Sequence, residues 1–263
     1  MDLKLLSKDG NKLTLVIKDT DFTFVNTLRR VITTEVPTLA IRKVTFTKNN
    51  SALFDEFIAH RLGLVPLITD LESYTLQENC TCKSAGCAKC QVSLTLKAEG
   101  PITVYASDLK SADPKVKPVF GKIPIVKLLK DQELEFEAVA TLGKGKEHAK
   151  FSPAHAYYKS YPKITIDKVK NPEDVVKSCP VDVYELDGKQ IKIKNLEACT
   201  LCNACVDISD PKGNIDVKGS DKDFIFYIES WGKLDAKEIL EQALNVLDEK
   251  LNEFSTLLNK AKL

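Results

Sequence analysis

The sequence predicts an α+β protein of two or three compact units, one of them organised around cysteine residues. Short segments with alternating apolar side chains predict strands along much of the 263 residues. A long amphipathic helix is predicted at the chain end, and the eight cysteines fall into two groups of four. A chain of this length can bury a sizeable core.

The composition excludes several classes of protein. The chain carries 38 basic and 37 acidic residues, so it lacks the basic surface of a protein that grips nucleic acid by itself. No apolar run reaches transmembrane length, and the first residues lack the apolar core of a signal peptide. We therefore expect a cytoplasmic protein that contacts no membrane and uses its cysteines for metal rather than for a secreted disulfide scaffold.

The first part of the chain predicts a hairpin, a helix and a further strand. Residues 3–8 and 12–18 alternate in the manner of two short strands. Asp21 fits the N-cap of a helix that ends near Glu35, before Pro37.

The middle of the chain predicts mostly strands. Residues 39–48 form a predicted strand, and a short helix follows over residues 55–62, with Gly63 as its C-cap. Strands then dominate to about residue 140, whereas residues 143–162 predict an irregular segment because they combine glycine, proline and tyrosine.

The most informative motif is the run that contains Cys199, Cys202 and Cys205. Thiolates at C-x2-C-x2-C spacing wrap one face of a cubane iron–sulfur cluster. Cys179 precedes Pro180, and in two-cluster ferredoxins the cysteine of such a pair ligates the cluster of the other half. We expect one cluster, 4Fe-4S if Cys179 is a ligand and 3Fe-4S if only three cysteines bind. A zinc site or disulfides are the alternative, which the spacing disfavours.

The surrounding stretch, residues 171–218, resembles the second half of a ferredoxin. A complete motif would place a further Cys-Pro pair at positions occupied by Ser209 and Asp210, which is consistent with a single cluster. Asp187 and Gly188 predict a hairpin turn within this stretch. A cluster can organise a small domain by metal-coupled folding, and this structural role is favoured. The alternative is a ferredoxin-like electron-transfer component of a redox complex, although the chain offers no flavin or nicotinamide motif.

The other four cysteines are close together in the sequence, at positions 80, 82, 87 and 90. Four thiolates within eleven residues can surround a tetrahedral zinc ion, and disulfides are the alternative. The three histidines, at positions 60, 148 and 155, are scattered, and no residues have the spacing of nucleophilic or acid–base catalysis. We therefore expect no catalytic residue in this chain.

The terminal helix is predicted to begin after an N-cap at Asp235. Its apolar residues alternate spacings of four and three in a coiled-coil-like seam, formed by Leu240, Leu244, Leu247, Leu251, Phe254 and Leu258. A helix packed only on its own sheet is the simpler interpretation. Further apolar residues widen the stripe, so we expect the helix to serve both its own core and a partner.

Three motifs resemble the alpha-type assembly subunits of cellular RNA polymerases. Residues 26–37 are similar to the first helix of that family and the turn after it. Residues 57–67 are similar to its second helix and turn, and residues 226–232 to its closing strand. The ferredoxin-like insertion resembles the archaeal branch of the family, the iron–sulfur-containing Rpo3 type. The resemblance covers nearly the whole chain.

The resemblance implies three domains. Residues 1–48 and 222–263 would form an alpha-like dimerisation domain. Residues 49–170 would form a strand-rich insert domain that carries the cysteine loop 80–90, at a place where eukaryotic members carry a zinc-binding loop. Residues 171–218 would form the inserted ferredoxin-like domain.

The resemblance also implies the partners. The family pairs with a small alpha-like subunit, subunit L or Rpo11, and with subunits N and P it forms the platform for the two large catalytic subunits. Arg29, Arg30, His60 and Arg61 match motif positions that lie near the large subunits. The chain would then be a non-catalytic part of a nucleotidyltransferase that performs transcription, and it would meet DNA only indirectly, through the complex.

Overall fold

In the computed structural model, which describes residues 1–83 and 85–261, twelve strands and five α-helices follow one another in a mixed α and β arrangement. The strands are β1 (Asp2–Asp9), β2 (Lys12–Lys18), β3 (Pro37–Asn49), β4 (Gln91–Glu99), β5 (Ile102–Tyr105), β6 (Lys110–Ser111), β7 (Pro124–Leu128), β8 (Glu133–Lys144), β9 (Ala154–Ile166), β10 (Tyr184–Asp187), β11 (Gln190–Ile193) and β12 (Ile215–Ser230). The helices are α1 (Phe22–Thr34), α2 (Asp55–Leu64), α3 (Pro172–Ser178), α4 (Ala204–Ile208) and α5 (Ala236–Lys260).

These elements belong to two units of the chain. The first unit comprises residues 1–8, 13–27 and 157–227. The second unit comprises residues 9–12, 28–156 and 228–263.

A four-stranded sheet in the order β1-β2-β12-β9 is the frame of the first unit. Phe224 on β12 is fully buried, and its ring meets those of Phe22 and Tyr158 edge-on, with centroids 4.7 and 5.9 Å apart. Because β9 is the last strand of the sheet, it tolerates Pro162, which has no N–H to donate to a further strand.

The cysteine-bearing segment between β9 and β12 folds into α3, the hairpin β10–β11 and α4. The hairpin pairs Tyr184 with Ile193 and Asp187 with Gln190, and Gly188 takes a left-handed φ of 63° in the turn. The predicted hairpin is therefore confirmed. A small buried cluster supports it, composed of Val175, Val183, Tyr184, Cys199, Cys205 and Ile215.

The second unit contains a sheet in the order β3-β8-β4-β6 and a two-stranded sheet of β5 and β7. The long antiparallel pair β3–β8 runs from Pro37 opposite Lys144 to Asn49 opposite Leu134. Helix α2 lies against this sheet through Ile58, which is fully buried in the same core cluster as β3, β4 and β8.

The predicted first helix is confirmed. The Asp21 carboxylate accepts a hydrogen bond from the Phe24 N–H at 2.8 Å, which satisfies one of the free N–H groups at the start of α1. The helix ends at Thr34, and β3 begins at Pro37.

The prediction that Gly63 ends the second helix was wrong. Helix α2 continues to Leu64, and the Val65 N–H bonds to the Leu62 carbonyl at 3.2 Å. Gly63 lies inside the last turn without a left-handed φ, and a Cβ there would contact the Ile41 carbonyl at 3.7 Å. A small side chain would therefore fit at this position as well.

The expectation of an irregular segment over residues 143–162 was also wrong. Strand β8 extends to Lys144, a short 3-10 turn covers Ala149–Phe151, and β9 begins at Ala154. Gly143 is required within β8 because a Cβ would come within 2.6 Å of the Phe151 ring. The glycine therefore permits close packing rather than breaking the strand.

Candidate metal centres and partner surface

The loop before β4 brings four cysteine sulfurs together. The Sγ atoms of Cys80 and Cys87 are 3.5 Å apart, and those of Cys82 and Cys90 are 3.6 Å apart. The Sγ atoms of Cys87 and Cys90 are separated by 3.9 Å, and all four atoms lie within 4.8 Å of one another. A tight turn, in which the Cys90 N–H bonds to the Cys87 carbonyl at 3.0 Å, holds the last pair.

These separations fit a metal ion. Four thiolates bound tetrahedrally to zinc at about 2.3 Å stand about 3.8 Å apart, whereas a disulfide requires about 2.05 Å. Hydrogen bonds, first from the Cys82 N–H, lower the pKa of Cys80 to about 6, while burial raises the pKa of Cys90 to about 12. The four cysteines can therefore bind a metal ion, which would replace the protons of the more basic thiols.

The other four cysteines line one cavity in the first unit. Cys179, Cys199, Cys202 and Cys205 contribute to its wall, together with apolar side chains such as Val217. In the part of the chain that the structure describes, only the loop 80–90 brings three or more ligating atoms within 4.8 Å of one another. In a cubane cluster each thiolate binds a different iron atom, so its ligands need not lie as close together as those of a single ion.

Hydrogen bonds to sulfur position these thiols. The Tyr184 hydroxyl lies 3.2 Å from the Sγ of Cys205, the Val183 N–H donates to Cys179 at 3.4 Å, and the Leu201 N–H donates to Cys199 at 3.5 Å. Leu201 has a left-handed φ of 60°, which turns the chain between successive cysteines. Such donors stabilise thiolate ligands of iron–sulfur clusters.

The positions that would carry a further Cys-Pro pair serve a structural role. Ser209 is buried, and its hydroxyl donates to the Val206 carbonyl at 2.9 Å. The Asp210 N–H donates to the Asn171 side chain at 3.0 Å, and that side chain also donates to the Ile208 carbonyl. Asn171 thus closes the end of α4 against the start of α3.

The terminal helix α5 buries only its first turns. Asp235 caps it by accepting from the Lys237 N–H at 2.8 Å, and Ala236, Ile239 and Ala243 are buried. Further along, Leu251 is 58 % exposed and Phe254 is 64 % exposed. The remaining seam residues are exposed at positions 244 and 258 and half-buried at positions 240 and 247. The helix therefore leaves an apolar stripe uncovered in the described chain.

Three lysines surround the Glu35 carboxylate, and one of them holds helix α5 in place. Lys250 of α5 reaches the Glu35 Oε1 at 3.0 Å, while Lys144 and Lys146 lie 3.6 and 3.5 Å from Oε2. The Glu35 side chain is only 12 % exposed. Burial alone would raise the pKa of Glu35, but the hydrogen bond and charge of Lys250 and the charges of the other two lysines hold it below its usual value.

We expect Glu35→Gln to reduce the free energy of unfolding by about 1.5–3 kcal/mol near neutral pH, because the charged hydrogen bond from Lys250 and the ion pairs with Lys144 and Lys146 are lost. A depressed folded-state pKa contributes stability above the usual glutamate pKa of about 4.3, and this contribution disappears as the pH falls through the folded value. Urea unfolding near pH 7 and below pH 4 measures the free-energy difference between wild type and Glu35→Gln. The control is Glu249→Gln, which changes an exposed glutamate on α5. An equal difference at both pH values would show that the charge of Glu35 is not responsible.

The four predicted basic contact residues lie on helices α1 and α2. Arg30 and His60 are exposed, and Arg29 is half-buried. Arg61, also exposed, donates to the Pro124 carbonyl through Nη2. The bond holds α2 to β7 while leaving much of the guanidinium open.

Comparisons with known proteins give the family. The model of the RNA polymerase Rpb3/RpoA insert domain matches residues 43–168. The DNA-directed RNA polymerase subunit Rpo3 of Methanosphaera stadtmanae is 42 % identical over 99 % of both chains. That of Methanothermobacter thermautotrophicus is 42 % identical over 97 % of this chain and 98 % of its own, and that of Pyrococcus furiosus is 37 % identical over 99 % and 98 %.

The chain belongs to the archaeal Rpo3 family of DNA-directed RNA polymerase subunits. An Rpo3-family chain is a non-catalytic part of a nucleotidyltransferase complex, so the predicted function is confirmed at this level. Among the described residues of this family member, no helix is both long enough and apolar enough to cross a lipid bilayer.

Sequence reasoning about this Rpo3-family chain missed an apolar surface beside a buried lysine. Leu64, Phe120 and Trp231 are exposed around a cavity that Lys233 also lines. Lys233 is 5 % exposed and donates to the carbonyl of Lys150, and burial, then the charge of Lys150, lowers its pKa to about 8. No periodic pattern joins residues this far apart in sequence, so only the fold shows that they share one surface.

Two further missed residues in the Rpo3-family chain support the cysteine-lined cavity. Tyr184, described above, is one, and Lys159 on β9 is the other, since its ammonium donates to two carbonyls beside Cys199. Tyr184 follows Cys179 closely in sequence, and this proximity could have indicated that Tyr184 supports the cysteine-lined cavity. Lys159 lies in the segment that the sequence predicted to be irregular.

Proposed function

We propose that this chain is the assembly platform of an archaeal RNA polymerase, acting in the cytoplasm. It pairs through α5 with a small alpha-like subunit, subunit L or Rpo11. Together with subunits N and P, the pair receives the two large catalytic subunits. The uncovered stripe of Leu251, Phe254 and their neighbours on a well-anchored helix is the observation that carries this proposal. The stripe is the kind of surface that a partner helix buries.

The proposed partner contacts extend beyond α5. Arg29, Arg30, His60 and Arg61 are proposed to face the large subunits, since exposed arginines are frequent anchors in interfaces. The proposed domains are a dimerisation domain of residues 1–48 and 222–263, an insert domain of residues 49–170 and a ferredoxin-like domain of residues 171–218. DNA is contacted only through the complex.

We also propose that the cysteine-lined cavity holds one iron–sulfur cluster. Cys199, Cys202 and Cys205 are the proposed ligands, with Cys179 as the fourth ligand of a 4Fe-4S cluster; without Cys179 the cluster would be 3Fe-4S. The four thiols in the cavity wall and the three hydrogen bonds to sulfur support this assignment. Bound there, the cluster cross-links α3, α4 and the loop between them and acts as a structural element.

The loop 80–90 is proposed to hold zinc. We expect one zinc per chain in wild-type protein and a loss of most of it in Cys90→Ser, because the buried Cys90 sulfur neighbours those of both Cys82 and Cys87. Plasma emission spectrometry measures the metal. Wild-type protein without zinc, together with alkylation that shows the four thiols oxidised in pairs, would support disulfides instead.

The experiment that tests the proposed function is a mild pull-down of the tagged chain from extract of its native cells, with identification of the recovered proteins. We expect one small subunit, two very large polypeptides and template-dependent RNA synthesis in the eluate. Recovery of flavoproteins or dehydrogenases without RNA synthesis would favour a redox complex and overturn the proposal.

A further inference from the structure

One lysine joins the cysteine-lined cavity to the sheet of the first unit. Lys159 lies on β9, and its Nζ donates to the carbonyl oxygens of Glu197 at 2.7 Å and Cys199 at 2.8 Å. The two carbonyls frame the start of the C-x2-C-x2-C run. A side chain of the sheet therefore fixes the backbone from which the first of these cysteines projects.

A second side chain on the same face of β9 strengthens this link. Tyr161 lies two residues after Lys159, so both project from the same side of the strand. The Tyr161 hydroxyl lies 3.2 Å from the Glu197 carboxylate. The turn before Cys199 is thus held through both its backbone and a side chain.

The neighbouring strand carries the link further into the sheet. The Lys159 ammonium lies 5.9 Å from the ring centroid of Tyr227 on β12, a cation–π contact, and Tyr227 stacks on Tyr157 of β9 at 4.6 Å. A Cβ at Gly219 of β12 would come within 3.3 Å of Leu201, which lies between the cysteines. Both strands therefore meet the cysteine run directly.

A positive charge lies beside the cysteine-lined cavity. The Lys159 ammonium is 2.8 Å from the carbonyl oxygen of Cys199, one of the residues that line the cavity. Four thiolates around an iron–sulfur cluster add negative charge, so filling the cavity strengthens the interactions of this ammonium.

We propose that Lys159 is a positioning residue that couples occupancy of the cysteine-lined cavity to the rigidity of β9 and β12. The inference rests on the proposed iron–sulfur cluster. When the cluster is bound, Cys199 is fixed and Lys159 transmits that constraint to the sheet. When the cluster is lost, the cysteine run loosens and the sheet loses its support from Lys159. Coupling of this kind is reciprocal, so Lys159 also strengthens binding of the cluster.

The test compares the full chain with and without iron and sulfide supplied under anaerobic conditions. Hydrogen exchange of backbone amides reports the rigidity of β9 and β12, and release of iron to a chelator reports retention of the cluster. The variants are Lys159→Met, Lys159→Arg and the control Lys163→Met, which removes an exposed lysine from the same strand. Wild-type protein that takes up no iron would contradict the proposed cluster itself, before any variant is compared.

In wild-type protein and Lys163→Met, we expect loading to slow exchange on β9 and β12. In Lys159→Met, we expect this loading-dependent protection to fall about tenfold and the share of iron released to the chelator at equilibrium to rise by a similar factor, given the loss of two charged hydrogen bonds. Lys159→Arg keeps the charge but not the geometry, so both of its values should lie between those of wild type and those of Lys159→Met. Loading-dependent protection of the wild-type size in Lys159→Met, or unchanged iron release, would overturn the inference.

Discussion

Cys205→Ser is expected to abolish iron binding and to lower the melting temperature of the first unit by about 20–40 °C. The sulfur of Cys205 is buried and lies beside the Tyr184 hydroxyl, so the substituted oxygen would be a poor iron ligand in an apolar site. Among the described residues, six buried ones form the centre of this segment, with partly buried apolar side chains around them. The proposed cluster would supply much of the stability of so small a core, so its loss is expected to remove about 5 kcal/mol or more.

Calorimetry and iron analysis of anaerobically purified protein measure this effect. Cys90→Ser is the matched control, because it makes the same chemical change at the other group of cysteines. It should reduce zinc and leave iron unchanged, whereas Cys205→Ser should do the reverse. Full iron content and an unaltered melting temperature in Cys205→Ser would exclude a structural cluster at this cavity.

Replacement of both Leu251 and Phe254 by glutamate is expected to weaken binding of the small alpha-like subunit by at least about 100-fold. Both side chains are more than half exposed in the isolated chain, so the change removes contacts with a partner rather than contacts in its own core. Loss of two central apolar anchors costs about 2–4 kcal/mol each in typical interfaces, and buried carboxylates add a further penalty.

Binding of the two purified subunits by calorimetry measures the effect. Thr256→Glu is the control, since it adds a negative charge to the same part of α5 but on the face away from the stripe. Thermal unfolding of the doubly substituted chain alone should resemble that of wild type. Wild-type affinity in the doubly substituted chain would exclude the α5 stripe as the partner surface.

Sequence reasoning predicted the cysteine groups because most of their members are related by local spacing. Three of the four cavity cysteines lie within seven residues, and the loop cysteines lie within eleven. The residues that support them come from elsewhere in the chain. Lys159 is forty residues from Cys199, whose carbonyl it binds, and no local pattern indicates that pairing. Exposure of the α5 stripe also depends on the fold, because the seam alone did not show how much of it the chain would cover.

The errors in the predicted fold come from residues that usually interrupt regular structure. Gly143 lies within a strand because the Phe151 ring approaches it too closely for a larger side chain. Pro162 lies within β9, which is possible because β9 is at the sheet edge. At both positions the place of the residue in the fold, not a local propensity, determined the conformation.

The most direct test of an assembly role is reconstitution of the polymerase from separately purified subunits, with template-directed RNA synthesis as the readout. The proposed function predicts synthesis with the wild-type chain and almost none when the chain is omitted or carries glutamate at positions 251 and 254. Equal RNA synthesis with and without this chain would contradict its role as the assembly platform.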